Sequence, residues 1–141
     1  MDPKTLEIFD RSLARCNTRK GFLDRFYERF LAMSPKVAEK FSETNFVRQK
    51  RALRASFHMM LLAAGDGEDG SERYLSSLAS THSRDQLDIG AELYDYWLDS
   101  LLATVRECDE KWDHEVESAW ERVMQVGIKY LVSHYNDPPE A

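Results

Sequence analysis

The apolar residues of this chain recur three or four positions apart in segment after segment, and no segment shows the alternation typical of a strand. The clearest stripe falls on one face of a helix and consists of Phe46, Gln49, Leu53, Phe57, Met60 and Ala64. This spacing predicts seven helices, at about 4–17, 21–33, 35–41, 46–64, 72–82, 90–108 and 113–135. The fold is therefore predicted to be all-α, although periodicity alone does not choose among the kinds of helical bundle.

Local signals mark several of the predicted helix ends. Asp2 followed by Pro3 is typical of a helix start, and Pro35 ends the preceding helix because the residue before a proline is pushed out of the helical region. Residues 65–70 contain three glycines among acidic residues and are predicted to form a flexible loop. We also predict a polar bend at 83–89 and a frayed tail at 136–141.

Size and charge narrow the class of protein. A chain of 141 residues without a linker is expected to form one domain, residues 1–141, with a sizeable core. The net charge of −6 argues against duplex nucleic acid or an anionic membrane as a partner. Because no apolar run approaches the roughly 20 residues of a membrane span and the start lacks a signal pattern, we expect a cytoplasmic protein. Cys16 and Cys108 are expected to be reduced thiols.

His82 is the candidate for chemistry, because the usual enzyme motifs are absent. The sequence has no glycine-rich nucleotide loop and no His-Glu-x-x-His. His82 ends a predicted helix, four residues after Leu78 and seven after Leu75, so its ring is expected along the apolar face. An imidazole at the edge of an apolar pocket suits haem iron as an axial ligand. A helix cap or a hydrogen-bonded core histidine is the alternative.

The segment 26–41 carries a resemblance to a known family. It contains a Phe-Tyr pair ending at Tyr27, then Pro35, then Phe41 six residues after that proline. Gln49 follows, with Leu53 four residues later, and His82 lies 33 residues after Gln49. In order and spacing this pattern resembles the bacterial globins and the haem domains of flavohaemoglobins. The two long terminal helices extend the resemblance over most of the chain.

The resemblance implies a globin fold of about seven helices around one haem, with iron held by His82. It implies distal hydrogen-bond donors at Tyr27 and Gln49 and a proximal tyrosine at Tyr94. Further haem-packing positions are Phe41, Phe46, Leu53 and Ile89. The absence of Cys-x-x-Cys-His makes the expected cofactor non-covalent haem b. The expected activity is reversible binding of dioxygen, CO and NO, for oxygen transport or storage, or for NO detoxification with a separate reductase.

Independent reading of the residues supports the distal assignment but leaves its register open. Tyr27 lies in an apolar stripe, so its hydroxyl needs a partner. Because the connector after Phe41 is short, Lys50 or Leu53 could replace Gln49 nearest the ligand. His58 falls beside the apolar stripe, which disfavours it as a sixth ligand.

Other positions follow from the same reading. Five cations could reach the haem propionates, and the sequence does not choose among them: Arg48, Lys50, Arg51, Arg54 and Arg84. Phe57, Trp97 and Trp120 are expected in the core rather than in a cofactor wall, and His114 and His134 at the surface. In flavohaemoglobins a glutamate of the last helix joins the proximal tyrosine, and the segment 129–135 offers no acidic residue for that place, which weakens the case for peroxidase-like activation.

Two other functions remain open at this point. The first is a haem-free globin-like signalling module, in which Phe57, Met59, Met60 and Trp97 would fill the pocket. The second is a haem-based gas sensor, which normally carries an output domain that these 141 residues do not contain.

Overall fold

The computed structural model describes residues 1–65, 69–83 and 88–136. Over these ranges the chain forms seven α-helices and no strand. The helices are α1 (Pro3–Asn17), α2 (Phe22–Met33), α3 (Pro35–Lys40), α4 (Phe46–Ala64), α5 (Asp69–His82), α6 (Ala91–Cys108) and α7 (His114–Ser133). The predicted all-α class and the order of the seven helices are thus confirmed.

Side-chain caps explain where several helices begin. The Asp2 carboxylate accepts from the Lys4 amide at 2.8 Å, and the Asn45 side chain accepts from Val47 at 3.1 Å at the start of α4. Gly21, predicted as the first residue of the second helix, instead precedes α2 with φ of +86°. That left-handed conformation favours glycine and explains the shift of one residue.

The segments between helices differ in part from the predictions. α5 begins at Asp69, three residues earlier than the periodicity indicated, so Asp69 and Gly70 belong to a helix rather than to the predicted loop. The rest of that loop at 66–68, most of the bend at 84–87 and the tail from 137 onward lie outside the described residues. Polar loop residues can extend a helix when it is anchored elsewhere, a tertiary effect that local propensity does not contain.

The core forms where α1, α2, α4 and α7 meet. Trp120 of α7 is fully buried. The centroid of its ring lies 4.7 Å from that of Phe9 in α1, 5.4 Å from that of Phe57 in α4 and 6.5 Å from that of Phe22 in α2. Edge-to-face pairs of this kind add to the free energy of burial. The predicted core positions of Phe57 and Trp120 are confirmed.

α4 and α7 approach closely at Gly127. A Cβ built on this buried glycine would overlap the sulfur and the methyl carbon of Met60. The absence of a side chain at Gly127 therefore lets the Met60 thioether lie against the α7 backbone.

A buried polar network joins α1 to the end of α6 and to α7. The Asp109 carboxylate accepts from Ser12 Oγ at 2.6 Å and from Arg15 Nε at 2.6 Å. Ser12 Oγ in turn accepts from Trp120 Nε1 at 2.8 Å. Each group of this network has a protein partner, as buried polar groups require.

Within the described part of the chain, no helix is both long enough and apolar enough to cross a membrane.

Candidate functional site

A cavity of about 470 Å³ lies among the six helices α2 to α7. Its size is in the range typical of small-molecule and cofactor sites. Seven of the eight residues predicted for the site line it, namely Tyr27, Phe41, Gln49, Leu53, His82, Ile89 and Tyr94. The structure therefore brings together residues that the sequence places up to 67 positions apart.

The eighth residue, Phe46, does not line the cavity. Its ring packs against the rings of Tyr27 and Phe41, with centroids 5.3 Å and 6.1 Å apart, respectively. Because Phe46 is the first residue of α4, it faces back toward α2 and supports the two lining rings from behind. The apolar pattern predicted the helix face of Phe46 correctly. It did not show that Phe46 packs on Tyr27 and Phe41 instead of lining the cavity.

His82 is the last residue of α5 and is held by its own helix. Its Nδ1 lies 2.8 Å from the Leu78 carbonyl oxygen, one turn earlier, and this pairing requires the proton on Nδ1. Nε2 is then the unprotonated nitrogen available to a ligand. Burial lowers the pKa of the imidazole, against the opposing effect of the bond to Leu78, so the neutral form is favoured.

The backbone on the far side of His82 also contributes to the wall. The Ile89 amide donates to the His82 carbonyl at 3.0 Å, which holds Ile89 beside the histidine. The Tyr94 ring lies nearly parallel to the imidazole, with centroids 6.5 Å apart. His82 is thus restrained by Leu78 and flanked by two lining residues.

Tyr27 and Gln49 form a polar pair in an otherwise apolar part of the cavity. Tyr27 is 5% exposed, and burial raises the pKa of its phenol to about 12, against the opposing effect of the neighbouring Gln49 amide. The hydroxyl therefore keeps its proton at neutral pH and can donate a hydrogen bond. Both Gln49 and Leu53 line the cavity, whereas Lys50 is paired with Asp24 at 2.6 Å.

Tyr94 carries an unsatisfied hydroxyl. Its Oη is buried and has no hydrogen-bond partner among the described residues. Burial raises the pKa of this phenol, so it too remains protonated. No acidic side chain of the described residues lines the cavity, in agreement with the sequence. Ser100 Oγ and Trp112 Nε1, which do not line the cavity, are likewise buried without a partner among the described residues.

Of the five cations considered for the haem propionates, the four that the structure describes do not line the cavity. Arg48, Arg51 and Arg54 are exposed and absent from the cavity wall, and Arg84 lies outside the described residues. Among the described residues that line the cavity, Lys40 is the only lysine or arginine. It also borders a polar surface groove of about 690 Å³. The sequence reading missed Lys40 because it ends a short helix with no periodic signal.

Several wall residues were missed or assigned differently from sequence. Trp97 was expected in the core, but it lines the cavity. Its ring packs edge-to-face on Phe26, with centroids 6.0 Å apart. α7 contributes three apolar lining residues that the sequence reading did not assign, namely Met124, Ile128 and Leu131. Their spacing around Gly127 fits one helix face, but only the approach of α7 to α4 makes that face a wall.

The remaining histidines lie away from the cavity. His58 and His114 are exposed, and neither lines the cavity. His134, expected at the surface, is half-buried because its ring stacks on Tyr130 at 4.3 Å. No group of three or more His, Cys, Asp or Glu within the described ranges is placed to hold a metal ion.

Comparisons with known proteins agree with this architecture. Residues 24–131 match the family model described as Globin. The crystal structure of a Pseudomonas aeruginosa protein, described as structurally highly homologous to a human haemoglobin, superposes with a TM-score of 0.89. The two sequences are 40% identical over 94% of this chain and 99% of that chain. Among curated proteins none matches the chain. The family match covers the cavity's main helices, and the chain belongs to the globin family.

Proposed function

We propose that this globin binds haem b in the cavity, with His82 as the axial ligand, and reversibly binds dioxygen, CO and NO. The observation that carries the proposal is the state of His82 in the wall of an open cavity. Its Nδ1 is committed to the Leu78 carbonyl, so Nε2 is available to iron. A histidine ligand commonly gives its second nitrogen to a carbonyl in this way, which fixes the ring and its tautomer.

The residues present fit a haem group. The cavity is lined mainly by apolar and aromatic side chains, as a porphyrin face requires. At the rim, Lys40 could pair with a carboxylate of the cofactor. The Tyr94 ring belongs to this apolar wall, while its hydroxyl is buried.

Haem would supply an iron atom able to bind a diatomic gas, and the chain's own residues would tune that binding. His82, neutral and restrained, would donate its Nε2 lone pair. Tyr27 and Gln49 would donate hydrogen bonds to a polar ligand such as dioxygen and discriminate against CO, which is nearly apolar. The buried setting of Tyr27 strengthens such a bond because little water competes with it.

The haem-free alternative required a filled pocket. Phe57 is fully buried against Trp120, and neither Phe57 nor Met59 lines the cavity. Met60 and Trp97 stand in the wall and leave about 470 Å³ open between them and the other lining residues. An open apolar cavity of this size favours a bound cofactor over a purely structural core.

Titration of the purified protein with hemin tests the proposal. Wild type should develop a sharp Soret band at one equivalent, and His82→Ala should lose most of its affinity or show a displaced band. His58→Ala is the matched control, because His58 is exposed and absent from the wall. Equal binding and identical spectra for His82→Ala and wild type would contradict the assignment.

A further inference from the structure

We propose that Gly127 is a positioning residue that keeps the deep part of the cavity open by holding the Met60 side chain against α7. The inference rests on the proposed function, since the open space is assigned there to haem. It assigns a role in the site to a glycine that does not itself line the cavity.

The geometry starts from the contact between α4 and α7. Gly127 is buried, and a Cβ added there would overlap Met60 Sδ and Cε. The distal half of the Met60 side chain therefore occupies the volume that any other residue at position 127 would fill. Met60 is 7% exposed and also lines the cavity, so it has packed protein on one side and open cavity on the other.

Replacing Gly127 with alanine would force the Met60 tip to move. The overlapping atoms are the flexible end of an unbranched side chain, which changes rotamer easily. The adjacent open space is the cavity, so the tip is expected to move into it. The backbone of α7 need not shift, and alanine favours a helix more than glycine does.

The consequence separates folding from ligand binding. Most changes that weaken a buried site also weaken the fold. Gly127→Ala should instead leave the fold as stable as before, or more so, while reducing the room for a large planar ligand. We expect the displaced tip to reduce hemin affinity by about five- to fiftyfold, inside the roughly 5- to 150-fold range that overpacking of a core would correspond to.

The experiment compares wild type with Gly127→Ala, Met60→Ala, the double variant and a control by hemin titration and by urea unfolding without haem. Gly90→Ala is the matched glycine control, because a Cβ there meets nothing within 4 Å. Gly127→Ala should show a urea midpoint at or above wild type and a hemin Kd raised by about five- to fiftyfold. The double variant should return to within about twofold of Met60→Ala, because the displaced tip is gone.

A second measurement needs no haem. In protein labelled with ¹³C at the methionine methyls, the Met60 resonance should move in Gly127→Ala and stay in place in Gly90→Ala. Failure of wild type to bind hemin would refute the proposed function. The methyl resonance would still report whether the Met60 side chain moves, because that measurement does not depend on haem. An unmoved Met60 methyl, wild-type hemin affinity in Gly127→Ala, or no rescue by the double variant would overturn the inference. A urea midpoint below wild type would also overturn it, because the tip would then have no space to enter.

Discussion

The network around Asp109 and the mainly apolar wall around His82 both contain buried polar groups, but they differ in how those groups are satisfied. In the network, Ser12, Arg15 and Trp120 all find partners within the protein at 2.6–2.8 Å. Beside the cavity, the buried Tyr94 hydroxyl has no partner among the described residues, as is also true of Ser100 Oγ and Trp112 Nε1 elsewhere in the chain. The polar groups of the first region bond one another, whereas the second region surrounds open space.

The two regions are expected to contribute differently to the free energy of unfolding. A satisfied network adds to the free energy of unfolding with or without a ligand. An open cavity with an orphaned hydroxyl lowers that free energy until a ligand fills it. The region around the cavity should therefore respond to haem more than the network does, and the two regions should respond oppositely to the loss of a single hydroxyl.

The largest expected effect is that of haem itself. A ligand that binds only the folded state stabilises it by about 4 kcal/mol at a thousandfold excess over Kd. Amides of α4 and of the end of α5 should gain the most protection from hydrogen exchange, because Leu53, Leu78 and His82 line the cavity. Amides of α1, next to the network, should change least. Equal changes in both regions, measured by mass spectrometry, would remove the distinction.

Breaking the network should be the next largest effect. Asp109→Asn leaves Arg15 without its charge partner, and because Arg15 is a quarter exposed the expected loss is about 2–4 kcal/mol. Urea unfolding without haem measures it, with the exposed Asp99→Asn as control. A loss no larger than in the control would show that the network contributes little.

The same variant gives a pH test of the network. Burial raises the pKa of Asp109, but bonds from Arg15 and Ser12 outweigh it and hold the pKa below the ordinary 3.8. The stability Asp109 contributes is thus present above its unfolded pKa and lost as pH falls through the lower folded pKa. The gap between wild type and Asp109→Asn should stay constant above about pH 5 and close below it. A gap that widens in acid would contradict this sign.

Removal of a distal donor should have a smaller effect, confined to the cavity. Tyr27→Phe keeps the ring and deletes one hydrogen bond of about 1–3 kcal/mol, so dioxygen should dissociate roughly 5- to 150-fold faster. CO dissociation should change much less. Gln49→Leu should act in the same direction, and the double variant should be less than additive. Stopped-flow ligand replacement measures the dissociation rates of both gases. Equal changes in the two rates would mean that Tyr27 and Gln49 do not face the ligand.

The smallest expected effect has opposite signs in the two regions. Ser12→Ala removes a hydroxyl with partners and should destabilise the haem-free protein by about 1–3 kcal/mol. Tyr94→Phe removes one without a described partner and should stabilise it by about 1 kcal/mol. Urea unfolding of the two variants without haem gives both values. Destabilisation of similar size in both would mean that Tyr94 has a partner.

The sequence predicted most of the fold because helix periodicity and caps act locally. The bounds of α4 at Phe46 and Ala64 agree with the spacing of its apolar stripe. The earlier start of α5 at Asp69 was missed, since glycine and acidic residues favour a loop when tertiary contacts are ignored.

The candidate site was predicted as a set of lining positions through the family resemblance, and the rest depends on packing. Trp97 was assigned to the core because burial against a core and burial against a cavity give the same pattern in sequence. Lys40 and Met60 acquire their place only when α3 and α7 meet the cavity. No local pattern distinguishes a paired hydroxyl from an orphaned one, so the contrast between Ser12 and Tyr94 required the structure.

The central claim, that His82 holds the iron through Nε2, is tested most directly by resonance Raman spectroscopy of the reduced, haem-loaded protein. Wild type should show an iron–histidine stretching band. His82→Ala should lack that band, and His58→Ala should retain it unchanged. Added imidazole should restore an iron–imidazole band to His82→Ala by entering the space of the missing side chain. An unchanged iron–histidine band in His82→Ala would contradict the account and assign the iron to another residue.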